Sequence, residues 1–363
     1  MVNIKTLIIN IECKIRWRIF YFTRTATRYS TSDGKLYAVV NFDLDFMVND
    51  RGRYIYSLCK YLEYAGFNLI LKTDYNYIKF HVRFKKLLLQ QNYRFVRKCN
   101  TPINSIALIA PNRRDKLIKI TYGDHATKEQ YDCLAPYPLH PDHLKAPTPS
   151  YITSFRTAER TMRIFFSGGA SETNYGKASL EKKYNIISRY NVLKHLKEHF
   201  SSSHQLRVIR DKSELYAFIT AQSLENSIII SHARSDPREW LQILSKAFFF
   251  IAPPGQHMPW CHNAIEAMAV GTIPITQYAN FFDPPLQHNK NCLCYTNYKD
   301  LDEVIETALH MEPEEVELMK QNVMQYFDRY LSVESITKRI NDFLNSEKDR
   351  LNIGVPFVVK KLI

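Results

Sequence analysis

The chain has 363 residues, of which 45% are hydrophobic and 13% are aromatic, and this composition excludes a disordered protein. The length favours two domains, each with its own core. Its 49 Lys and Arg residues outnumber its 36 Asp and Glu residues, giving a formal net charge of +13. Because this charge is spread along both halves, it favours phosphorylated ligands or an anionic membrane surface as partners. We expect no nucleic-acid partner, because outside the basic N-terminal segment the sequence shows no recognisable nucleic-acid-binding module and no basic stripe with interleaved aromatic residues.

The seven cysteines are an odd number and include no C-x-x-C pair, which indicates a reducing compartment and therefore the cytoplasm. Cys292 and Cys294 flank Leu293 in a short predicted strand, so their side chains share one face. Small buried hydrophobic residues explain this pair better than a metal site does. We expect no zinc.

Residues 1–34 form a basic N-terminal segment in which Lys and Arg alternate with apolar residues. Its longest uncharged run, Thr6 to Ile11, is far shorter than the ~20 residues that a membrane-spanning helix needs. Two readings stay open: peripheral contact with an anionic membrane, on its inner face, or a poorly ordered leader.

Residues 35–134 alternate between strand and helix patterns, which predicts a Rossmann-like first domain. The predicted strands are Leu36–Phe42, Phe67–Lys72, Ile106–Ala110 and Leu117–Tyr122, and the predicted helical stretches are Tyr54–Ala65 and Phe80–Gln90. Residues 135–161 are rich in proline and lack periodicity, so we expect a linker there. Residues 162–345 then form a second domain, and residues 346–363 form a tail.

The second domain begins with a strand at Arg163–Phe166 that runs into Ser167-Gly168-Gly169, and glycines permit close backbone approach to a ligand. Strand and helix patterns continue to alternate up to His310, which predicts a doubly wound parallel sheet. Helical stretches at Pro313–Tyr330 and Val333–Asn345 close the domain.

Residues 247–276 form a compact βαβ pattern: an apolar strand, the turn Pro253-Pro254-Gly255, a helix and a second strand at Ile273–Ile275. Such a unit places the start of the helix, at residues 259–263, at the carboxyl edge of the sheet. Unpaired N–H groups and the helix dipole attract a diphosphate there. His262 and Glu266 are four residues apart and share a helix face, so one face carries an imidazole and a carboxylate able to accept bonds from ribose hydroxyls.

This segment resembles the donor-binding segment of GT-B glycosyltransferases, in particular exostosin-like and related nucleotide-sugar transferases. The matching elements are Pro254-Gly255, Glu266-Ala267 and the turn Gly271-Thr272-Ile273-Pro274-Ile275. The resemblance implies that Glu266 holds the ribose, that two Rossmann-like domains face a cleft, and that the C-terminal helices cross back onto the first domain. Retaining members of a large group of these enzymes have two glutamates eight positions apart. With Glu266 as the second, the first would fall at Met258, which is not acidic. That variant is therefore disfavoured, and the stereochemical outcome stays open.

The predicted donor-binding residues lie at the starts of loops and of the βαβ helix. They are Gly168, Gly169, Lys177, Gly255, His257, His262, Asn263 and Glu266. Alternatives remain for several of them. The two adjacent glycines also fit a plain turn, Lys177 fits a solvated loop, and both histidines fit packing or capping roles.

The resemblance implies that a catalytic base for inversion, if there is one, comes from the first domain. Candidates at predicted strand ends are Asp43, Asp45, Asp50, Asp124 and His125. We favour Asp124 and His125, because they follow a strand directly after Gly123. Arg53 and Asp45 are expected on the acceptor side, although Asp43 and Asp50 also fit helix caps.

The sequence therefore predicts a glycosyltransferase that needs no metal and no cofactor beyond its nucleotide-sugar co-substrate. The expected acceptor is a glycan or a lipid-linked molecule in surface polysaccharide or glycoconjugate synthesis. Two alternatives belong to other classes: a two-lobed α/β protein that binds a small ligand without catalysis, and a basic RNA-binding or RNA-modifying protein. The base, the sugar and the acceptor stay open.

Overall fold

The computed structural model describes residue 15 and residues 18–79, 82–123, 131–145, 150–176, 179–201, 205–221, 223–233, 235–256 and 258–356. The chain divides into two compact units. The first comprises residues 1–135 together with 336–363, and the second comprises residues 136–335.

The strands, in chain order, are β1 (Thr25–Ala26), β2 (Tyr37–Asn41), β3 (Asn68–Lys72), β4 (Arg94–Val96), β5 (Ser105–Ile109), β6 (Lys116–Gly123), β7 (Cys133–Leu134), β8 (Met162–Ser167), β9 (Leu206–Ile209), β10 (Glu225–Ser231), β11 (Ala247–Ile251), β12 (Ile273–Thr276), β13 (Leu293–Cys294) and β14 (Arg350–Pro356).

The α-helices are α1 (Leu44–Val48), α2 (Arg53–Tyr64), α3 (Tyr75–Lys79), α4 (Lys85–Leu89), α5 (Ser150–Thr153), α6 (Glu172–Tyr175), α7 (Ser179–Tyr184), α8 (Arg189–Phe200), α9 (Lys212–Ile219), α10 (Pro237–Leu244), α11 (His262–Ala269), α12 (Tyr298–His310), α13 (Pro313–Tyr326) and α14 (Val333–Asn345). Short 3-10 helices lie at Asn49–Gly52, Pro141–Leu144, Ser154–Thr157 and Ala279–Phe281, and a π-helical turn lies at Phe327–Leu331.

The sheet of the first unit has the order β1-β4-β3-β2-β5-β6-β14-β7. All neighbours are parallel except β5, which is antiparallel to both β2 and β6. The predicted strands of this region are therefore confirmed, but the sheet is mixed rather than fully parallel. The reason is the short loop of residues 110–115, because adjacent strands joined by a short loop pair antiparallel whereas a parallel pair needs a long crossover.

The first unit also contains strands that the sequence did not predict. β1 pairs with β4, so the end of the basic N-terminal segment forms part of this sheet. β14 lies between β6 and β7, with Arg350 opposite Leu117 and Pro356 opposite Gly123. Within the predicted tail, residues 350–356 therefore form a strand that pairs with Leu117 to Gly123 of β6.

The sheet of the second unit has the order β13-β12-β11-β8-β10-β9 and is parallel throughout, which confirms the predicted doubly wound arrangement. Its central strand β8 is buried along its whole length, as expected for a strand covered on both faces. β9 and β10 lie on one side of β8, and β11, β12 and β13 lie on the other. The winding therefore changes direction between β8 and β11, and open α/β sheets bind ligands at such a point.

The proline-rich segment differs from the prediction of an extended linker. Residues from Pro136 onward belong to the second unit, and Leu139 and Leu144 are almost completely buried in it. Burial of these apolar side chains holds the segment in place, and its prolines are compatible with an extended backbone that packs on other elements. Within the described residues, no helix is long and apolar enough to cross a membrane.

Candidate functional site

Two loops meet at the switch point of the second unit, one after β8 and one after β11. Gly168, in the first loop, has φ 154°, a conformation that side chains other than glycine rarely adopt. Gly255, in the second loop, packs closely against the backbone of Trp260. A Cβ at position 255 would lie 2.7 Å from the carbonyl oxygen of Trp260. This contact gives Gly255 a structural role, since a side chain would open the turn that leads into α11.

The first turn of α11 faces the same edge. Cys261 is its N-cap and makes no side-chain capping bond, and Asn263 Nδ2 lies 3.4 Å from the carbonyl oxygen of Ser167 at the end of β8. Asn263 thus fastens the start of the helix to the loop that contains Gly168. The positive end of the helix dipole lies at this start.

Arg189, the first residue of α8, connects all three elements. Its Nε donates to the carbonyl oxygen of Pro254 (3.0 Å), its Nη1 to that of Gly169 (3.1 Å), and its Nη2 contacts Cys261 Sγ (3.3 Å). The side chain is buried, and its guanidinium lies 4.4 Å from the centre of the Tyr175 ring. The two terminal nitrogens lie beside Gly169, which is exposed, and Cys261, which is half-buried, so this edge of the buried guanidinium lies nearest to solvent.

Two other buried arginines of this unit show why Arg189 is unusual. Arg160 donates to the carbonyl oxygen of Val270, the C-cap of α11, and burial lowers its pKa to about 10. Arg163 donates to the carbonyl oxygens of Ala308 and Met311 at the end of α12. Both cations therefore lie at the negative ends of helices, which stabilise positive charge.

Arg189 instead lies beside the N-cap of α11, where the helix dipole adds further positive potential. Within the described part of the chain, no carboxylate lies within ion-pair distance of its guanidinium. A buried cation without a counter-charge is costly, and an anion bound at this edge would remove that cost. The geometry therefore fits a diphosphate better than a neutral ligand. Sequence patterns could not reveal this role, because Arg189 has no neighbouring motif and its partners come from two loops that are distant in the chain.

Glu266 lies one turn into α11 and is completely buried. Its Oε1 accepts a hydrogen bond from the backbone N–H of His140 (2.9 Å), and its Oε2 accepts one from Trp240 Nε1 (2.7 Å). The structure therefore differs from the prediction of a ribose contact, because both oxygens bind protein donors and neither reaches solvent. Glu266 holds the proline-rich segment and α10 against α11.

His262 lies on the same face of α11, as its spacing from Glu266 predicts. It is half-buried, and its ring lies 6.2 Å from the ring of His140. The face predicted to contact a nucleotide is thus covered in part by His140. His262 lies at the first position of the helix, next to Asn263, and so remains a candidate for contact with a diphosphate.

Several predicted site residues lie outside the described part of the chain. They are Asp124, His125, Lys177 and His257. Asp124 and His125 follow directly after β6, and Lys177 follows α6 in sequence. Gly169 is described, and its backbone carbonyl accepts a bond from Arg189.

Polar side chains also meet at the carboxyl edge of the first unit. Asp43 follows β2 and caps α1, with Oδ1 accepting from the backbone N–H of Phe46 at 2.9 Å. Its Oδ2 accepts from Asn104 Nδ2 (2.8 Å) and from the hydroxyl of Tyr122. Burial and the bond to Asp43 raise the pKa of Tyr122 above its usual value. The carboxylate of Asp43 is therefore fixed by three hydrogen bonds, and it caps α1.

The predicted acceptor-side residues lie in the same unit. Asp45 is in the first turn of α1. Arg53 is buried at the start of α2, and its Nε lies 3.0 Å from Asp50 Oδ2. The guanidinium also lies over the ring of Phe84 (5.8 Å), so packing and an ion pair account for much of its surroundings.

No protein-family model matches this chain, and no curated protein matches it. Among solved structures, Anabaena Alr3699/HepE in complex with UDP and glucose is 13% identical over 85% of this chain and 99% of that chain, with a TM-score of 0.44. The same Anabaena protein in complex with UDP is 17% identical over 55% of this chain and 53% of that chain, with a TM-score of 0.33. An alpha-glucosyltransferase in complex with UDP and a 13-mer DNA containing a HMU base is 11% identical over 86% of this chain and 100% of that chain, with a TM-score of 0.41.

Proposed function

We propose that the chain is a glycosyltransferase that takes its sugar from a nucleotide-sugar donor, and that the second unit binds the donor through its diphosphate. One observation carries this proposal. Arg189 is a buried cation without a carboxylate partner among the described residues, and it lies at the switch point beside the N-cap of α11. A diphosphate supplies the missing negative charge and accepts hydrogen bonds from the guanidinium and from the first N–H groups of the helix.

This arrangement suits the departure of a nucleoside diphosphate. When the bond between sugar and phosphate breaks, negative charge builds up on the leaving phosphate. A fixed guanidinium and helix dipole stabilise that charge without having to reorganise. Within this proposal, Arg189, His262 and Asn263 bind the diphosphate, while Gly168 and Gly169 allow the backbone to approach it.

The acceptor side is proposed to lie at the carboxyl edge of the first unit, with Asp124 and His125 as candidate bases. The support is their position in the sequence directly after β6, whose Tyr122 belongs to the polar cluster around Asp43. Asp45 and Arg53 belong to this side of the proposal. Asp43 is a weaker candidate for the base, because its oxygens already accept three bonds.

Peripheral contact with an anionic membrane is also part of the proposal. Ile15, Ile19 and Phe22 are helical, follow one another at spacings of four and three residues, and are 54%, 58% and 62% exposed. Arg18 and Arg24 are exposed among them. An apolar stripe with basic neighbours is typical of a helix that lies in the interface of an anionic membrane.

The proposed donor site is tested by calorimetry with UDP, GDP and ADP and with the matching nucleotide sugars. We expect one nucleoside diphosphate to bind the wild-type protein, and the variant Arg189→Gln to bind it about 10- to 100-fold more weakly because a charged hydrogen-bond donor is lost. Arg163→Gln is the matched control, since it removes a buried arginine at the other end of β8. Equal affinity of Arg189→Gln and wild type, with both proteins folded, would reject this diphosphate site.

A measurement of catalytic turnover distinguishes a glycosyltransferase from a binding protein of the same fold class. A transferase releases the nucleoside diphosphate from its nucleotide sugar, faster when an acceptor is present, whereas a binding protein releases no product. Release of the diphosphate is therefore measured with and without glycan acceptors. Tight nucleotide binding without any release would favour the small-ligand-binding alternative.

A further inference from the structure

A group of metal-ligating side chains lies between α8 and α12, apart from the proposed donor site. His195 and His199 are one turn apart on α8, and their rings stack with centres 5.7 Å apart and an interplanar angle of 14°. Asp302 on α12 faces both of them. Its Oδ1 lies 2.8 Å from His195 Nε2, and its Oδ2 lies 3.9 Å from His199 Nε2.

We propose that His195, His199 and Asp302 bind a divalent transition-metal ion of the zinc class. One ligand atom from each residue lies within 4.8 Å of the others. Zinc binds imidazole nitrogen and carboxylate oxygen at about 2.0–2.2 Å, so the ligand atoms of a tetrahedral site lie about 3.4 Å apart. The separations of 2.8 Å, from His195 Nε2 to Asp302 Oδ1, and 3.9 Å, from His199 Nε2 to Asp302 Oδ2, fall on either side of this value. Binding of an ion would therefore require side-chain rotations that bring both imidazole nitrogens and one carboxylate oxygen to this spacing.

The spacing of the two histidines supports the same ligand set. Residues four apart lie on one face of a helix, and paired histidines at this spacing are a known arrangement for binding zinc. The two carboxylate oxygens of Asp302 are each directed at a different imidazole. His195 and Asp302 share a hydrogen bond, which a bound ion would replace with two coordinate bonds.

Two further features suit an ion that enters from solvent. The side chains of His195 and Asp302 are each 24% exposed and that of His199 is 55% exposed, so the ion can enter without unfolding and water can fill a fourth position. The helix backbones are nevertheless fixed. Leu196 on α8 and Leu301 on α12, each next in sequence to a proposed ligand, are fully buried.

The position of the site suggests a structural role. His195 is six residues from Arg189, or about 9 Å along α8, so the ion would not touch a ligand at the switch point. It would instead link α8 to α12. This inference does not depend on the proposed transferase activity.

The test uses full-length protein without a histidine tag, first treated with a chelator and then titrated with Zn²⁺ by calorimetry. His199→Ala removes an exposed ligand, and Asp302→Asn removes the carboxylate charge. His310→Ala is the matched control: His310 is exposed on α12, and its Nδ1 lies 3.5 Å from Glu306 Oε2. Circular dichroism checks the fold of each variant.

We expect wild type and His310→Ala to bind one more Zn²⁺ than His199→Ala, or to bind it at least tenfold more tightly, and we expect Asp302→Asn to resemble His199→Ala. Co²⁺ in place of Zn²⁺ should give the visible absorption of a tetrahedral complex in wild type and lose it in both ligand variants. Absence of Zn²⁺ binding to wild type, equal binding in all four proteins, or binding that survives Asp302→Asn would each overturn the proposal.

Discussion

The backbone N–H of His140 donates a hydrogen bond to Oε1 of Glu266, a residue 126 positions later in the chain, at a distance of 2.9 Å. Together with the bond from Trp240 Nε1, this contact satisfies both oxygens of a fully buried carboxylate. The proline-rich segment and α11 are therefore coupled, and the coupling determines what can reach this helix face.

Glu266→Gln is expected to destabilise the protein by about 1–3 kcal/mol, because the amide group turns an N–H donor toward either His140 or Trp240 and one buried donor loses its acceptor. Urea unfolding measures the free energy of unfolding. Glu306→Gln, on the exposed surface of α12, should change it by less than about 0.5 kcal/mol. If Glu266→Gln weakened nucleotide binding without loss of stability, a direct ribose contact would be supported instead.

Sugar transfer is expected to continue in EDTA. Asp43 and Asp45 are two carboxylates separated by one residue, a D-x-D pattern that can bind a divalent ion. They belong to the first unit and not to the proposed donor-binding unit, and Asp43 already accepts three hydrogen bonds. The proposed metal site on α8 and α12 lies away from the switch point, so removing its ion should affect stability more than turnover. The measurement is the rate of diphosphate release before and after chelation, with added Mg²⁺ or Mn²⁺. Activity that disappears in EDTA and returns with either ion would contradict this expectation.

The exposed stripe of Ile15, Ile19 and Phe22 is expected to mediate binding to anionic vesicles. Replacing all three with serine removes the apolar area that would enter the interface, so sedimentation with vesicles of anionic lipid should drop sharply. Ile103 is a suitable control, because it is 66% exposed in the same unit. Ile103→Ser should sediment like wild type. Equal sedimentation of the triple variant would place any membrane contact elsewhere.

His232 is expected to make the stability of the second unit sensitive to acid. Burial lowers its pKa, and the positive charges of Lys197 and Arg210 lower it further. The unfolded chain therefore binds a proton at a higher pH than the folded chain does. The contribution of His232 to stability is fully present above its unfolded pKa of about 6.5 and is lost as the pH falls through the lowered folded pKa.

The check is urea unfolding of wild type and His232→Asn between pH 8 and pH 5. Wild type should lose more free energy of unfolding toward pH 5 than the variant does. His310→Asn, on the exposed surface of α12, should follow wild type. Parallel curves for wild type and His232→Asn would rule out this coupling.

Local patterns predicted the second unit well because its strands are buried on both faces and therefore consist of continuous apolar residues, as β8 does. Spacing also placed His262 and Glu266 on one helix face. It could not show that His140 covers that face, because the contact joins distant parts of the chain. The role of Arg189 could not be predicted for the same reason. It depends on contacts with Pro254, Gly169 and Cys261, which come together only in the folded chain.

The position of β14 has a consequence for biosynthesis. Its residues pair with β6 on one side and β7 on the other, more than 200 positions earlier in the chain. Until the ribosome has made β14, the edges of β6 and β7 that pair with β14 stay unpaired. Exposed strand edges promote association with other chains. The second unit, which is continuous in sequence, can fold first. We expect the nascent first unit to be the part that depends on chaperones.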